Sequence, residues 1–179
     1  ALSATARPAF AAWLKTAQVT RPQPIAHLGL DVVHGDQTPD NVLSASAQIQ
    51  DGVVPIKEGS IAALRFSGDS PVVHADLRPF VRTDAFSLSL RLKPTEKQDR
   101  AVILHQSRAW SDAGSRGFEL TLDEGRPFFG LIHFWPGNAI AVRAKRSLPL
   151  NEWSRLVVTY DGSSRASGIR LYLNEAPLE

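Results

Sequence analysis

The chain contains no cysteine and no methionine among its 179 residues. Without cysteine it can form no disulfide, no thiolate metal site and no cysteine nucleophile. Its longest uncharged stretch, residues 127–142, is interrupted by Gly130, Pro136 and Gly137, so it predicts no membrane span. The chain has 20 Lys and Arg against 18 Asp and Glu, a formal net charge of +2. Charge so nearly balanced does not indicate binding to nucleic acid or to an anionic membrane.

The length and composition suit one compact domain. Apolar residues make up 43 % of the chain and charged residues 21 %, which is the balance of a globular protein. The chain begins at Ala1 with no visible signal peptide. Because it also lacks an initiator Met, we expect it to be a piece of something longer.

Only the N-terminal region shows a helical period. Phe10, Trp13, Leu14 and Ala17 are spaced at i, i+3, i+4 and i+7, which gathers apolar groups on one helix face. Residues 1–24 are therefore predicted to form a connector helix and linker. A partner-binding helix is the alternative.

From residue 25 onward, short apolar runs alternate with Gly, Asp and Asn turns, which is typical of an all-β fold. Residues 32–60 are irregular and are predicted to form a long surface loop. Some strands are apolar on both faces and others alternate, which favours two packed antiparallel sheets in a β-sandwich. The predicted strands are residues 25–31, 62–66, 72–75, 86–94, 101–107, 117–122, 127–134, 139–145, 153–161 and 168–174.

Four stretches occur in an order that resembles a known family: "GSIAALRFSGDSPVV", "DAFSLSLRLKP", "GFELTLDEGRPFFGL" and "LPLNEWSRLVVTYDGSS" followed by "LYLNE". Together they are similar to the laminin-G-like branch of the concanavalin A-like lectin and glucanase superfamily. The resemblance covers residues 25–179 and implies a concanavalin A-like jelly-roll β-sandwich. It also implies a non-catalytic recognition module, with carbohydrate binding as the leading function.

Three further stretches narrow the resemblance: "RAWSDAGSRGFEL", "HFWPGNAI" and "YDGSSRASGIRLYLN". They resemble the version of this module found in large exported proteins of planctomycete-type bacteria, beside cytochrome-like domains. This implies a periplasmic or extracellular location and neighbouring domains of a parent protein as partners. Glu175 replaces the Gly that usually completes an Asn-Gly turn in the family, which argues against a tight type I′ hairpin after Asn174.

The resemblance also bears on the C-terminal end. In the family, the strand that resembles "GIRLYLN" is followed by several more. We therefore expect this chain to end before the jelly roll is complete. The last strand would then have an unpaired edge, and we expect two chains to form a dimer through that edge.

Aromatic residues provide the most suggestive binding site. Strand alternation divides this stretch between two faces, with Phe129, Leu131, His133 and Trp135 on one and Phe128, Ile132 and Phe134 on the other. Sugar rings stack their C–H faces on Trp, while their hydroxyls need polar side chains nearby. A Trp ring open to solvent would favour sugar binding, whereas buried rings beside a flat apolar patch would favour protein partners. The structural alternative is that both Trp residues seal the sheet ends. The predicted polysaccharide or glycan site comprises Trp110, Trp135, His133, Asn138, Arg108 and Asp112.

A calcium ion is the only cofactor for which the sequence offers ligands. The stretch "LDVVHGDQTPDN" is rich in oxygen donors but has no EF-hand spacing. Turn formation and backbone capping explain the same residues. The candidate ligands are Asp31, Asp36, Asp40 and Asn41.

We expect no catalytic residues. A glycoside hydrolase needs two carboxyl groups roughly 5 to 10 Å apart, whereas Glu119 and Asp123 on one strand would lie about 13 Å apart. His105 and Ser107 lack the Gly-x-Ser-x-Gly elbow of a nucleophile. The alternatives to carbohydrate binding are a structural or protein-interaction module and, third, a glycoside hydrolase-like enzyme.

Overall fold

The computed structural model describes Pro8, Ala12, Trp13, residues 23–107 and residues 116–178. The predicted N-terminal helix falls almost entirely outside these residues and stays a prediction. The described strands are β1 (Gln37–Pro39), β2 (Ser46–Ile49), β3 (Val54–Glu58), β4 (Ile61–Arg65), β5 (Val72–Val73), β6 (Phe86–Leu92), β7 (Arg100–Ser107), β8 (Gly117–Asp123), β9 (Arg126–Phe134), β10 (Asn138–Arg143), β11 (Ser154–Tyr160), β12 (Ile169–Leu173) and β13 (Ala176–Pro177).

The chain divides into two compact units. The N-terminal unit runs up to Phe66 and includes Ser70–Ala75, and the C-terminal unit comprises Ser67–Asp69 and the chain from Asp76 onward. This division falls inside the stretch predicted as one sandwich, residues 25–179. No helix in the described part of the chain has the length and apolar character of a membrane span.

The N-terminal unit contains a three-stranded sheet, in the order β1-β2-β5, and the antiparallel hairpin β3-β4. The loop predicted for residues 32–60 is therefore wrong, because β1, β2 and β3 all lie within it. These strands are short, and on β2 only Ala47 and Ile49 alternate into the interior. The strand predicted for residues 25–31 is also wrong, since Leu28 alone forms an isolated bridge there.

Asp40 organises the loops of the N-terminal unit. Its Oδ1 accepts hydrogen bonds from the backbone N–H groups of Val42 at 2.7 Å, Leu43 at 2.9 Å and His27 at 3.1 Å. His74 Nε2 lies 3.0 Å from Oδ2. Burial raises the pKa of Asp40, but these hydrogen bonds outweigh it and lower the pKa to about 2.

The C-terminal unit is built from two four-stranded antiparallel sheets. The strand order is β10-β9-β8-β7 in the first, here called the β9 sheet, and β13-β12-β11-β6 in the second, here called the β11 sheet. Phe118, Leu120 and Phe129 of the β9 sheet share one buried cluster with Leu156 and Val158 of the β11 sheet. The predicted all-β sandwich is thus confirmed for this unit, while the jelly-roll connection stays a prediction.

Two-residue turns close two of the hairpins. Glu124 and Gly125 between β8 and β9 have φ of 50° and 77°, and Asn174 and Glu175 between β12 and β13 have φ of 47° and 72°. Positive φ at both central residues is the mark of a type I′ turn. The expectation that Glu175 would prevent such a turn is therefore wrong. The predicted edge-strand dimer stays a prediction.

Replacing Asp40 with Asn should destabilise the N-terminal unit by about 2 kcal/mol at pH 7, because the charge that the hydrogen bonds stabilise is lost. The folded pKa lies below the unfolded value of 3.8. The difference in stability between the parent chain and Asp40→Asn should therefore be complete above pH 3.8 and vanish as the pH falls through about 2. Amide hydrogen exchange at His27, Val42 and Leu43 measures it, and equal protection at pH 7 would contradict the account.

Replacing Glu175 with Gly should stabilise the C-terminal unit by about 1 kcal/mol, because a residue with a Cβ is strained at positive φ. Asn174→Gly provides the contrast. It relieves the same strain but removes the Asn174 Oδ1 that accepts a hydrogen bond from the Arg155 N–H at 2.8 Å. Urea unfolding should rank Glu175→Gly above the parent chain and Asn174→Gly below Glu175→Gly, and the reverse ranking would contradict this turn geometry.

Candidate functional site

The outward face of β9 carries a Phe ring that lies along the strand. Phe129 and Leu131 pack in the core, so Phe128 points outward. A Cβ built on Gly130 would stand 3.2 Å from Phe128 Cε1 and 3.6 Å from Ile132 Cδ1. The Phe128 ring therefore leans over Gly130, where a Cβ would be in tight contact with it.

Trp135 folds back toward this ring. An extended chain would separate residues 128 and 135 by about 23 Å, yet their ring centroids are 6.4 Å apart in an edge-on contact. The β9–β10 ladder shifts register before Trp135, because Ala139 pairs with Ile132 but Asn138 pairs with Phe134, so the strand alternation does not carry through to Trp135. The prediction that Trp135 shares a face with Phe129 is therefore wrong, since it lies with Phe128.

Phe134 is a further exposed aromatic residue at the β9–β10 hairpin. Its side chain is 65 % exposed and that of Trp135 is 48 % exposed. A Cβ on Gly137 would stand 3.2 Å from the Phe134 ring, so the ring covers this glycine. We call Phe128, Phe134 and Trp135 the aromatic rim.

The structure brings three predicted site residues together at this hairpin. Trp135 belongs to the aromatic rim, Asn138 pairs in register with Phe134, and His133 precedes Phe134 in β9. His133 and Asn138 are both exposed. The other three predicted residues, Trp110, Arg108 and Asp112, lie outside the described residues and stay predictions.

Charged side chains flank Phe128 on the outward face of the β9 sheet. Arg143 pairs in register with Phe128 and forms an ion pair of 2.6 Å with Asp123. Glu119 pairs in register with Gly130 and lies 3.5 Å from Arg100. The rim thus has both hydrogen-bond donors and acceptors beside it.

The predicted calcium ligands are only partly gathered. Asp31 and Asn41 both lie beside Gly29, and Asp36 is exposed. Asp40 accepts hydrogen bonds from three backbone N–H groups, which agrees with the alternative explanation of backbone capping. No group of three His, Cys, Asp or Glu side chains with metal-binding geometry occurs in the described part of the chain. The calcium site stays a prediction.

Sequence reasoning missed the parts of the rim that depend on backbone geometry. Phe128 was assigned to a face without a role, and Phe134 was not included in the site. The signal that could have found them is Gly130, because a glycine inside a strand marks a close approach by another group. Glu119 was considered as a catalytic carboxylate and rejected on its distance from Asp123, not as a neighbour of the rim.

The comparison with known families confirms the predicted laminin-G-like resemblance, while the planctomycete-type resemblance stays a prediction. Residues 66–177, more than half of the chain, match a laminin-G-like family model described as the concanavalin A-like lectin/glucanases superfamily. No curated protein matches the chain. Membership of this family supports a role as a carbohydrate-binding or protein-interaction module, and the match shows no more specific function.

Replacing Gly130 with Ala should displace the Phe128 ring by a few tenths of an ångström, because the new Cβ would stand 3.2 Å from it. The ring contact with Trp135 should change in turn. We expect the indole N–H resonance of Trp135 to shift in a ¹⁵N–¹H spectrum, while that of Trp153 stays in place. An unchanged Trp135 resonance in the folded variant would show that Gly130 does not position the rim.

Proposed function

Because this chain belongs to the concanavalin A-like lectin/glucanase superfamily, we propose that it is a non-catalytic carbohydrate-binding module whose aromatic rim stacks against sugar rings. The observation that carries the proposal is the exposure of the rim. Phe134 and Trp135 are 65 % and 48 % exposed on one hairpin. Large aromatic rings cost free energy when they face water, so their exposure together points to a binding surface.

The chemistry of the rim suits a sugar. Aromatic faces attract the polarised C–H groups on one side of a sugar ring, while hydroxyl groups need donors and acceptors. Asn138, in register with Phe134, and His133, just before Phe134 in β9, supply these at the same hairpin, and both are exposed. The contact between Phe128 and Trp135 holds one ring in place before binding, which reduces the entropy lost when a ligand binds.

The carboxylates on this face support a binding role over hydrolysis. Glu119 and Asp123 are four residues apart on β8, a separation of about 13 Å. Each is also close to a guanidinium group, Glu119 to Arg100 and Asp123 to Arg143. A glycoside hydrolase instead needs two carboxyl groups roughly 5 to 10 Å apart.

A protein-interaction module is the second candidate. Strand β7 is at the edge of the β9 sheet, where Val102 is 48 % and Leu104 40 % exposed. An exposed edge strand with apolar side chains can pair with an added strand from a partner. Neighbouring domains of an exported parent protein are the partners that the resemblance suggests.

A glycan-array and polysaccharide screen, run with and without calcium, should identify a ligand whose affinity falls about tenfold in Trp135→Ala and in Phe134→Ala, since each ring contributes stacking energy. Phe66→Ala is the matched control. Phe66 is 47 % exposed but belongs to the N-terminal unit. Its loss should leave the affinity unchanged.

Two results would refute the proposal. One is the absence of any glycan ligand, which would favour the protein-interaction module. The other is a loss of affinity in Phe66→Ala equal to that in the rim variants. Far-ultraviolet circular dichroism must show that every variant keeps the parent β-type spectrum.

A further inference from the structure

The outward face of the β11 sheet is basic. Strands β6, β11 and β12 contain no Asp or Glu. Their inward residues fill the core, so the residues between them point outward. The outward residues used below, which we call the arginine face, are Ser89, Arg91, Arg155, Thr159, Arg170 and Tyr172.

Two of these arginines stand directly opposite each other. Arg155 pairs in register with Arg91, and both are exposed. Like charges at opposed positions of a ladder destabilise the sheet, so folding alone does not favour this pair. Neither side chain forms an ion pair with a carboxylate of the described residues. The Arg91 guanidinium lies 5.8 Å from the centroid of the Trp153 ring.

Carboxylates occur only in the turns that flank this face. Glu152 precedes β11, Asp161 follows it and Glu175 follows β12. The hydrogen bonds from Ser163 lower the pKa of Asp161, and the charge of Arg170 lowers it further. The positive charge of Arg170 is therefore partly offset, whereas the Arg91 and Arg155 pair has no such partner.

We propose that the arginine face binds an acidic polysaccharide, one whose sugar rings carry carboxylate or sulfate groups. Guanidinium groups bind such oxyanions through two parallel hydrogen bonds. Thr159 pairs in register with Arg170, and it lies four residues from Arg155 on β11, so the two arginines are about 13 Å apart. Charges so far apart fit several sugars of one polymer rather than a single sugar.

The residues between the arginines also suit a sugar chain. Tyr172 lies between Arg155 and Arg170 in the ladder and keeps part of its ring accessible. Ser89 and Thr159 add hydroxyl groups on either side. An acidic protein surface fits less well, because the core of a protein interface is apolar. The apolar side chains here, Val157 on β11 and Trp153 beside Arg91, are half-buried, whereas the arginines are exposed.

This inference rests on the recognition function proposed above but uses a different surface. Its test titrates the full chain at low salt with polygalacturonate, which carries carboxylates, and with dextran sulfate, which carries sulfates. Neutral dextran and polyglutamate are the comparison polymers. The variants are Arg91→Gln, Arg155→Gln and Arg170→Gln, with Arg65→Gln of the N-terminal unit as the charge-matched control and Trp135→Ala as the rim control.

We expect at least one of the two acidic polysaccharides to bind, neutral dextran not to bind, and each variant of the arginine face to weaken binding about fivefold. Which polymer binds distinguishes carboxylate from sulfate recognition. Binding should weaken as salt is added, and Arg65→Gln and Trp135→Ala should bind as the parent chain does. Unchanged binding by Trp135→Ala would show that the arginine face binds the polysaccharide independently of the aromatic rim.

Four results would overturn the inference. They are no binding of either acidic polysaccharide, an equal loss in Arg65→Gln, loss of binding in Trp135→Ala, and tighter binding of polyglutamate than of both polysaccharides. The last result would identify an acidic protein as the partner.

Discussion

The apolar core shared by the two sheets of the C-terminal unit is the constraint on which the rest of this unit depends. Successive side chains of a strand point to opposite faces, so the residues that fill the core determine which residues face outward. Leu156 and Val158 are fully buried on β11, and Phe129 is fully buried on β9. Their positions place Arg155 on one outer surface and Phe128 on the other.

The pairing register between strands extends this constraint from one strand to the next. Tyr160 shows how the register of β11 is fixed, because its ring lies in the core. Its hydroxyl donates a hydrogen bond of 2.7 Å to the Arg82 carbonyl and accepts one of 2.8 Å from the Ser164 N–H. These bonds fix the end of β11 against two loops. A slip of one residue would break them and turn every buried side chain of the strand outward.

The parts of the fold that were predicted correctly have strong local signals. The apolar run "RLVVTY" on β11 and the alternation around Phe118 on β8 both predict strands, which the structure has. Gly125 and Gly162 lie in turns and have the positive φ that glycine adopts without strain. Residues 32–60 failed because their strands are short and bury few apolar side chains. The Asn174–Glu175 turn was misjudged because hairpin pairing overrides the strain on a single residue.

The two outer surfaces were less predictable from the sequence. Trp135 was placed on the wrong face, because the strand alternation stops where the hairpin begins and only the ring contact with Phe128 reveals where it lies. The arginine face could not be found at all from spacing. Arg91 and Arg155 are far apart in sequence, and only the register of β6 with β11 makes them neighbours.

The most direct test of the account is an NMR titration of the ¹⁵N-labelled chain with a panel of neutral oligosaccharides, observed at the indole N–H groups. If the aromatic rim binds sugar, the resonance of Trp135 will shift in a saturable manner with at least one oligosaccharide, while that of Trp153 will not move. If no oligosaccharide moves the Trp135 resonance, the rim is not a sugar-binding surface, and the central claim is contradicted.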